Sequence, residues 1–137
     1  MEVICGILIM DGDIVKVIVT AGGTGGHIYP ALSVIEKILS EKGNEVLYIG
    51  TKNRMESKLI PEKGIPYVGL DIYGLSKTNI PRDIKNIYLV MNSYNKCKKI
   101  MKEFKPDYVI GFGGYVTLPV LLAAHKYKIR CAIHEQN

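Results

Sequence analysis

Val17-Ile18-Val19-Thr20-Ala21-Gly22-Gly23-Thr24-Gly25-Gly26-His27 joins a β-branched apolar run to a glycine-dense turn, and an amphipathic segment follows from Ile28. The stretch reads as a strand, a turn and a helix N-terminus. Gly22, Gly23, Gly25 and Gly26 let the backbone approach a ligand closely. A helix start beyond them offers unpaired N–H groups and the positive end of the helix dipole, a natural seat for phosphate. His27 falls in the first turn, and a neutral imidazole beside a phosphate suits a general base. A tight strand-to-helix turn carrying a surface histidine fits the same residues.

Two common glycine motifs are excluded. A dinucleotide fingerprint needs G-x-G-x-x-G with an acidic residue about 20 residues further on. Counted from Gly23, the third glycine position is Ile28, and the second strand runs out in Ile49-Gly50-Thr51-Lys52 without a carboxylate. A P-loop needs Lys-Ser/Thr after its last glycine, where this chain has His27. A diphosphate-type ligand without either nucleotide signature remains.

Outward from this stretch, strands and helices alternate. Strand one is Lys16 to Thr20. A helix follows with Ile28, Leu32, Ile35 and Leu39 at helical spacing, Pro30 in its first turn and Lys42-Gly43 as its stop. Strand two is Glu45 to Ile49, and a short helix covers Arg54 to Glu62. Strand three is Tyr67 to Asp71, and Ile72 to Asn79 is a loop. A long helix runs from Pro81 to Phe104, closed by Lys105-Pro106. Strand four is Tyr108 to Phe112, with Gly113-Gly114 a second glycine turn, and a helix spans Leu118 to Tyr127. Strand five is Arg130 to His134. Near-continuous apolar strands between helices give an α/β fold: a doubly wound, Rossmann-like parallel sheet, expected in the order 3-2-1-4-5. Residues 1–15 form an extension. Glu2 to Met10 is β-rich, Asp11-Gly12-Asp13 signals a turn, and an added strand that hairpins into strand one is the simplest expectation. Residues 16–137 form the domain.

Ligands of such sheets bind beyond the carboxyl ends of the strands, where the strand order reverses. That point lies between strands one and four. Gly22–Gly26, Gly111–Gly114 and His134-Glu135-Gln136-Asn137 are expected to meet there.

The 137 residues suffice for one domain with a real core. A net charge of +5 suits an anionic partner, a phosphorylated substrate or an anionic membrane surface. Nucleic acid is the weakest of these partners and is not expected, because no Lys/Arg run exceeds two residues and no extended aromatic-basic interleaving stands out. Cys5, Cys97 and Cys131 lack metal spacing and read as reduced, mostly buried thiols. No metal site and no cofactor are expected.

Gly22-Gly23-Thr24-Gly25-Gly26-His27, Gly50-Thr51-Lys52-Asn53-Arg54-Met55-Glu56, Gly113-Gly114-Tyr115-Val116 and His134-Glu135-Gln136-Asn137 together resemble the MurG glycosyltransferase family, in its order and spacing. The resemblance runs from Lys16 to Asn137. It implies the N-terminal, acceptor-binding half of a GT-B fold, with the C-terminal donor-binding domain absent. It also implies an inverting transfer of N-acetylglucosamine from UDP-N-acetylglucosamine to lipid-linked muramyl-pentapeptide diphosphate in peptidoglycan synthesis. By the same resemblance, Gly22, Gly23, Thr24, Gly25 and Gly26 would cradle the acceptor diphosphate, with His27 as base. Gly113, Gly114 and Tyr115 would help seat the acceptor, and Glu135 and Asn137 would edge the cleft. His134 reads as a packed strand residue, and Arg54 with Glu56 as a local pair at a helix start.

The resemblance also implies a peripheral protein on the cytoplasmic face of the bacterial membrane. Ile80, Ile84, Ile87, Tyr88 and Met91 share a face of the long helix, with Lys77, Arg82 and Lys85 nearby. Such a face either sits on an anionic leaflet or packs on the sheet. Two other functions are open to the same residues: a non-catalytic, membrane-recruiting subunit acting with a donor-binding partner chain, or a remnant of a broken reading frame.

Overall fold

The computed structural model describes residues 14–72 and 80–134, with backbone alone for residues 80–86. Nine elements alternate along the described chain: β1 (Lys16–Thr20), α1 (Gly25–Ser40), β2 (Glu45–Thr51), α2 (Glu56–Glu62), β3 (Tyr67–Leu70), α3 (Ile80–Phe104), β4 (Tyr108–Gly111), α4 (Thr117–Lys126) and β5 (Arg130–Ile133). All five strands are parallel, in the order β3-β2-β1-β4-β5. The expected fold and strand order are therefore observed.

Alternation along β1 divides the core. Val17 and Val19 face the layer of α1 and α2, with Ile28, Ile35, Ile38, Ile60 and Tyr48. Ile18 faces the layer of α3 and α4, with Cys97, Met101, Val120 and Ala123. Successive side chains of a strand point to opposite faces, so a central strand covered on both sides is apolar throughout. Edge strand β5 is mostly exposed.

The amino ends of the strands are pinned by polar bonds. Lys16 N donates to Asp107 Oδ2 at 2.8 Å, and Asp107 N returns a bond to the Lys16 carbonyl at 2.7 Å. Asn44 accepts from Val15 N at 2.9 Å and donates to the Ile38 carbonyl at 2.9 Å. It thereby ties the end of α1 to the start of β1.

Three expectations change. Helix α1 begins at Gly25, so Pro30 lies beyond its first turn. Ile38 is buried, whereas Leu39 is exposed. Cys97 is buried, with its thiol pushed up to about 12 by desolvation, but Cys131 is exposed. The strand expected at Glu2 to Met10 lies outside the described residues. Among the described residues, β1 is flanked by β2 and β4.

Replacing Asn44 by Ala removes one acceptor and one donor at a half-buried junction. Thermal or denaturant unfolding should show a loss of about 1–3 kcal/mol, with the sheet retained. An unchanged midpoint would mean that solvent replaces both bonds.

Candidate functional site at the glycine loops

Beyond the last residues of β1 and β4 the ladder continues into the two glycine turns. Phe112 N donates to the Thr20 carbonyl at 2.9 Å, and Gly22 N donates to the Gly113 carbonyl at 3.2 Å. His134 N donates to the Gly111 carbonyl at 2.8 Å, which brings the end of β5 alongside. The expected convergence of three segments is thus observed as far as His134. Glu135 and Asn137 lie outside the described residues.

The two loops touch backbone to backbone. A Cβ at Gly114 would stand 2.5 Å from the Gly22 carbonyl oxygen. Its φ of +92° is also in the left-handed region, which a side chain disfavours. Gly22 is enclosed on two sides, since a Cβ there would meet Glu56 Oε1 at 2.8 Å and Val116 Cγ1 at 2.9 Å. Gly23, by contrast, has a φ of +95° and open space around it.

Two helix N-termini rise from these loops. Thr24 caps α1 in extended conformation and makes no side-chain cap bond; its carbonyl accepts from His27 N and Ile28 N, both at 3.1 Å. Helix α4 starts after the second loop, where Thr117 N and Thr117 Oγ1 both bond the Gly114 carbonyl. Neither helix has an acidic residue in its first turn. Two positive dipole ends therefore point to one region, and both favour an anion. Gly25 and Gly26, expected in a turn, form the first turn of α1. Tyr29 covers Gly25 and Met55 lies beside it. Both side chains are exposed.

His27 lies across the junction. Its Nδ1 is 3.2 Å from the Gly22 carbonyl. A carbonyl only accepts, so Nδ1 carries the hydrogen. In the neutral ring Nε2 then has the free lone pair. The Nε2–Cδ2 edge rests on Gly113, where a Cβ would come within 2.8 Å of both atoms. Glycine at 113 thus makes room for the imidazole. Tyr115 is exposed beside the second loop. His134 packs against Phe112, with ring centres 5.4 Å apart, as a packed strand-end residue should. Among the described residues no cluster of three His, Cys, Asp or Glu could hold a metal.

Two residues depart from expectation. Glu56 does not pair with Arg54: it is fully buried, and its Oε1 accepts from Thr51 N at 3.0 Å and Thr51 Oγ1 at 2.6 Å. Arg54 is exposed. Of the apolar face on α3, Ile87, Tyr88 and Met91 are exposed. The sheet side of that helix is instead Leu89, Ser93, Cys97 and Met101. Lys77 and the side chains of Ile80, Ile84 and Lys85 lie outside the described residues.

Residues 17–137 match the glycosyltransferase family 28 N-terminal domain. The chain is 50% identical over 123 residues to the UDP-N-acetylglucosamine--N-acetylmuramyl-(pentapeptide) pyrophosphoryl-undecaprenol N-acetylglucosamine transferase of Lactococcus lactis subsp. cremoris, covering 89% of this chain and 34% of the relative. The enzyme of the same name from Limosilactobacillus reuteri is 47% identical over 123 residues, covering 89% and 33%. The crystal structure of MurG from Acinetobacter baumannii superposes with a TM-score of 0.76 at 37% identity, covering 89% of this chain and 35% of that one. The chain thus spans about a third of the length of the relatives it matches.

The glycine contacts rank three substitutions. Gly23→Ala meets only the positive φ and should cost about 1–2 kcal/mol. Gly22→Ala forces a side chain against Glu56 and Val116, which adds an overpacking cost of about 1–3 kcal/mol. Gly114→Ala meets rigid backbone as well as positive φ and should cost most. Urea unfolding of the three variants checks the order; equal losses would mean that the loops are not in contact.

Proposed function

The chain belongs to glycosyltransferase family 28, whose N-terminal domain it carries, and we propose that it is the acceptor-binding part of an inverting N-acetylglucosaminyltransferase. The acceptor is a lipid-linked muramyl-pentapeptide diphosphate and the donor is UDP-N-acetylglucosamine, in peptidoglycan synthesis. The observation that carries this reading is the joining of two glycine loops, each leading into a helix N-terminus, with His27 between them. N–H groups of Gly23 to Gly26 cradle the diphosphate, and Gly113, Gly114 and Tyr115 seat the acceptor from the other side. Glu135 and Asn137 edge the cleft.

The same geometry supports a path for the proton. The Gly22 carbonyl holds Nδ1–H, so Nε2 accepts the proton of the acceptor 4-hydroxyl. That oxygen bonds to the anomeric carbon of the donor, and UDP leaves from the opposite face with the bonding electrons. Configuration at that carbon inverts. Residues beyond these 137 hold most of the donor.

Ile87, Tyr88 and Met91 support a peripheral position on the cytoplasmic face of the membrane, where a lipid-linked acceptor resides. Three exposed apolar side chains on one helix start contribute nothing to the core, yet insert well at a leaflet boundary. No helix among the described residues is long and apolar enough to cross a membrane.

Transfer from labelled UDP-N-acetylglucosamine to a soluble short-chain acceptor analogue tests the reading. Activity should require a family C-terminal part in the assay, and His27→Ala should then lower kcat by about 10²–10⁴-fold while acceptor binding persists. Full activity of His27→Ala would favour a non-catalytic membrane-recruiting subunit. In a separate vesicle assay, replacing Ile87, Tyr88 and Met91 by Ser should weaken binding to anionic vesicles by about tenfold or more without lowering the melting temperature. A lowered melting temperature with unchanged binding would place that face in the core.

A further inference from the structure

The motif Gly50-Thr51-Lys52-Asn53-Arg54-Met55-Glu56 has no part in the chemistry above, yet it ends in a buried carboxylate beneath the first glycine loop. Glu56 is fully buried. Both of its hydrogen bonds go to Thr51, the last residue of β2, and both use Oε1. Its Oε2 is buried without a partner. Burying a carboxylate is costly unless its bonds and fields compensate. Here the first turn of α2 and the two Thr51 donors supply that compensation.

The position is what sets Glu56 apart. Its Oε1 is 2.8 Å from where a Cβ of Gly22 would be, and its Cγ is 2.8 Å from where a Cβ of Gly50 would be. Two glycines therefore make room for one carboxylate, and Gly22 is held between Glu56 on one side and Val116 on the other. A second layer supports the arrangement. Tyr48 OH donates to the Ala21 carbonyl at 2.9 Å, Tyr67 OH donates to the Thr51 carbonyl, and the two rings stack at 5.6 Å. Burial and then the charge of Glu56 raise both phenol pKa values, so both remain O–H donors. Ala21, Gly22 and Thr51 are thus each held by Glu56 or by one of the two tyrosines.

We infer that Glu56 is a positioning residue: its carboxylate, locked to Thr51, sets the first glycine loop against the second and so fixes the spacing of the N–H groups that meet the ligand phosphates. This role rests on the reading of Gly22–Gly26 as a phosphate cradle. Arg54 is not its counterpart, and the side chain acts through the loop rather than on a reacting atom.

Amide hydrogen exchange and a pyrophosphate titration of the whole chain, followed by NMR, test the role. In Glu56→Ala the Gly22 amide, bonded to the Gly113 carbonyl, should exchange about tenfold faster, the effect of losing one charge-assisted bond. The amide of Ile18 in β1 should keep its wild-type rate. Affinity for inorganic pyrophosphate should fall by a similar factor, and Glu56→Gln, which keeps the shape and the Oε1 acceptor, should restore both. Thr51→Val, which removes one donor, should speed Gly22 exchange selectively; it also serves if Glu56→Ala does not fold. Unchanged Gly22 exchange in Thr51→Val and Glu56→Ala would overturn the role. So would equal acceleration at Gly22 and Ile18, which marks global stability alone. Failure of the wild-type chain to bind pyrophosphate would overturn the phosphate reading instead, while the exchange rates still decide on Glu56.

Discussion

The site depends on one contact, the backbone of Gly22 against the backbone of Gly113 and Gly114. No side chain fits between them, because a Cβ at Gly114 would overlap the Gly22 carbonyl. Around it the ladder from Thr20 to Phe112 and from Gly22 to Gly113 runs past the ends of the strands. The central strand β1 is buried on both faces and pinned at its amino end by Asp107 and Asn44. Its carboxyl end is therefore a rigid platform, and the loops inherit that rigidity.

Electrostatics follow from the same contact. Bringing the loops together also brings together the N-termini of α1 and α4, neither with an acidic side chain in its first turn. Each terminus alone is a common feature of α/β proteins. Two of them on one anion give a stronger and more directional field. In the proposed reaction His27 joins this field to proton transfer, since one ring nitrogen is committed to the Gly22 carbonyl and the other is left to accept. Glu56 completes the frame from below, held by the end of β2.

Much of this was legible in the chain. The strand order followed from apolar strands alternating with helices, and with it the meeting of Gly22–Gly26 and Gly111–Gly114. Glycine density hid the start of α1, because Gly25 and Gly26 disfavour helix by propensity and read as turn. Charge pairing at a helix start points Glu56 to Arg54, two residues away, whereas its partner is Thr51, on the other side of the turn. The signal that was present is the Gly50-Thr51 pair, since a glycine late in a strand marks close approach by another group. The apolar face of α3 was ambiguous for a different reason. Ile87, Tyr88 and Met91 obey the same helical spacing as the buried Leu89, Ser93, Cys97 and Met101, and only packing separates the two stripes.

A single acceptor-diphosphate site shared by the two glycine loops is read most plainly by mapping amide shifts of the whole chain with a short-chain lipid-diphosphate muramyl-pentapeptide analogue. The largest shifts should fall on Gly23 to His27 and on Gly113 to Tyr115, saturating together with one affinity. Shifts confined to the opposite end of the sheet, at the groove of Ile14, Tyr108 and Arg130, or two loops titrating with different affinities, would contradict it.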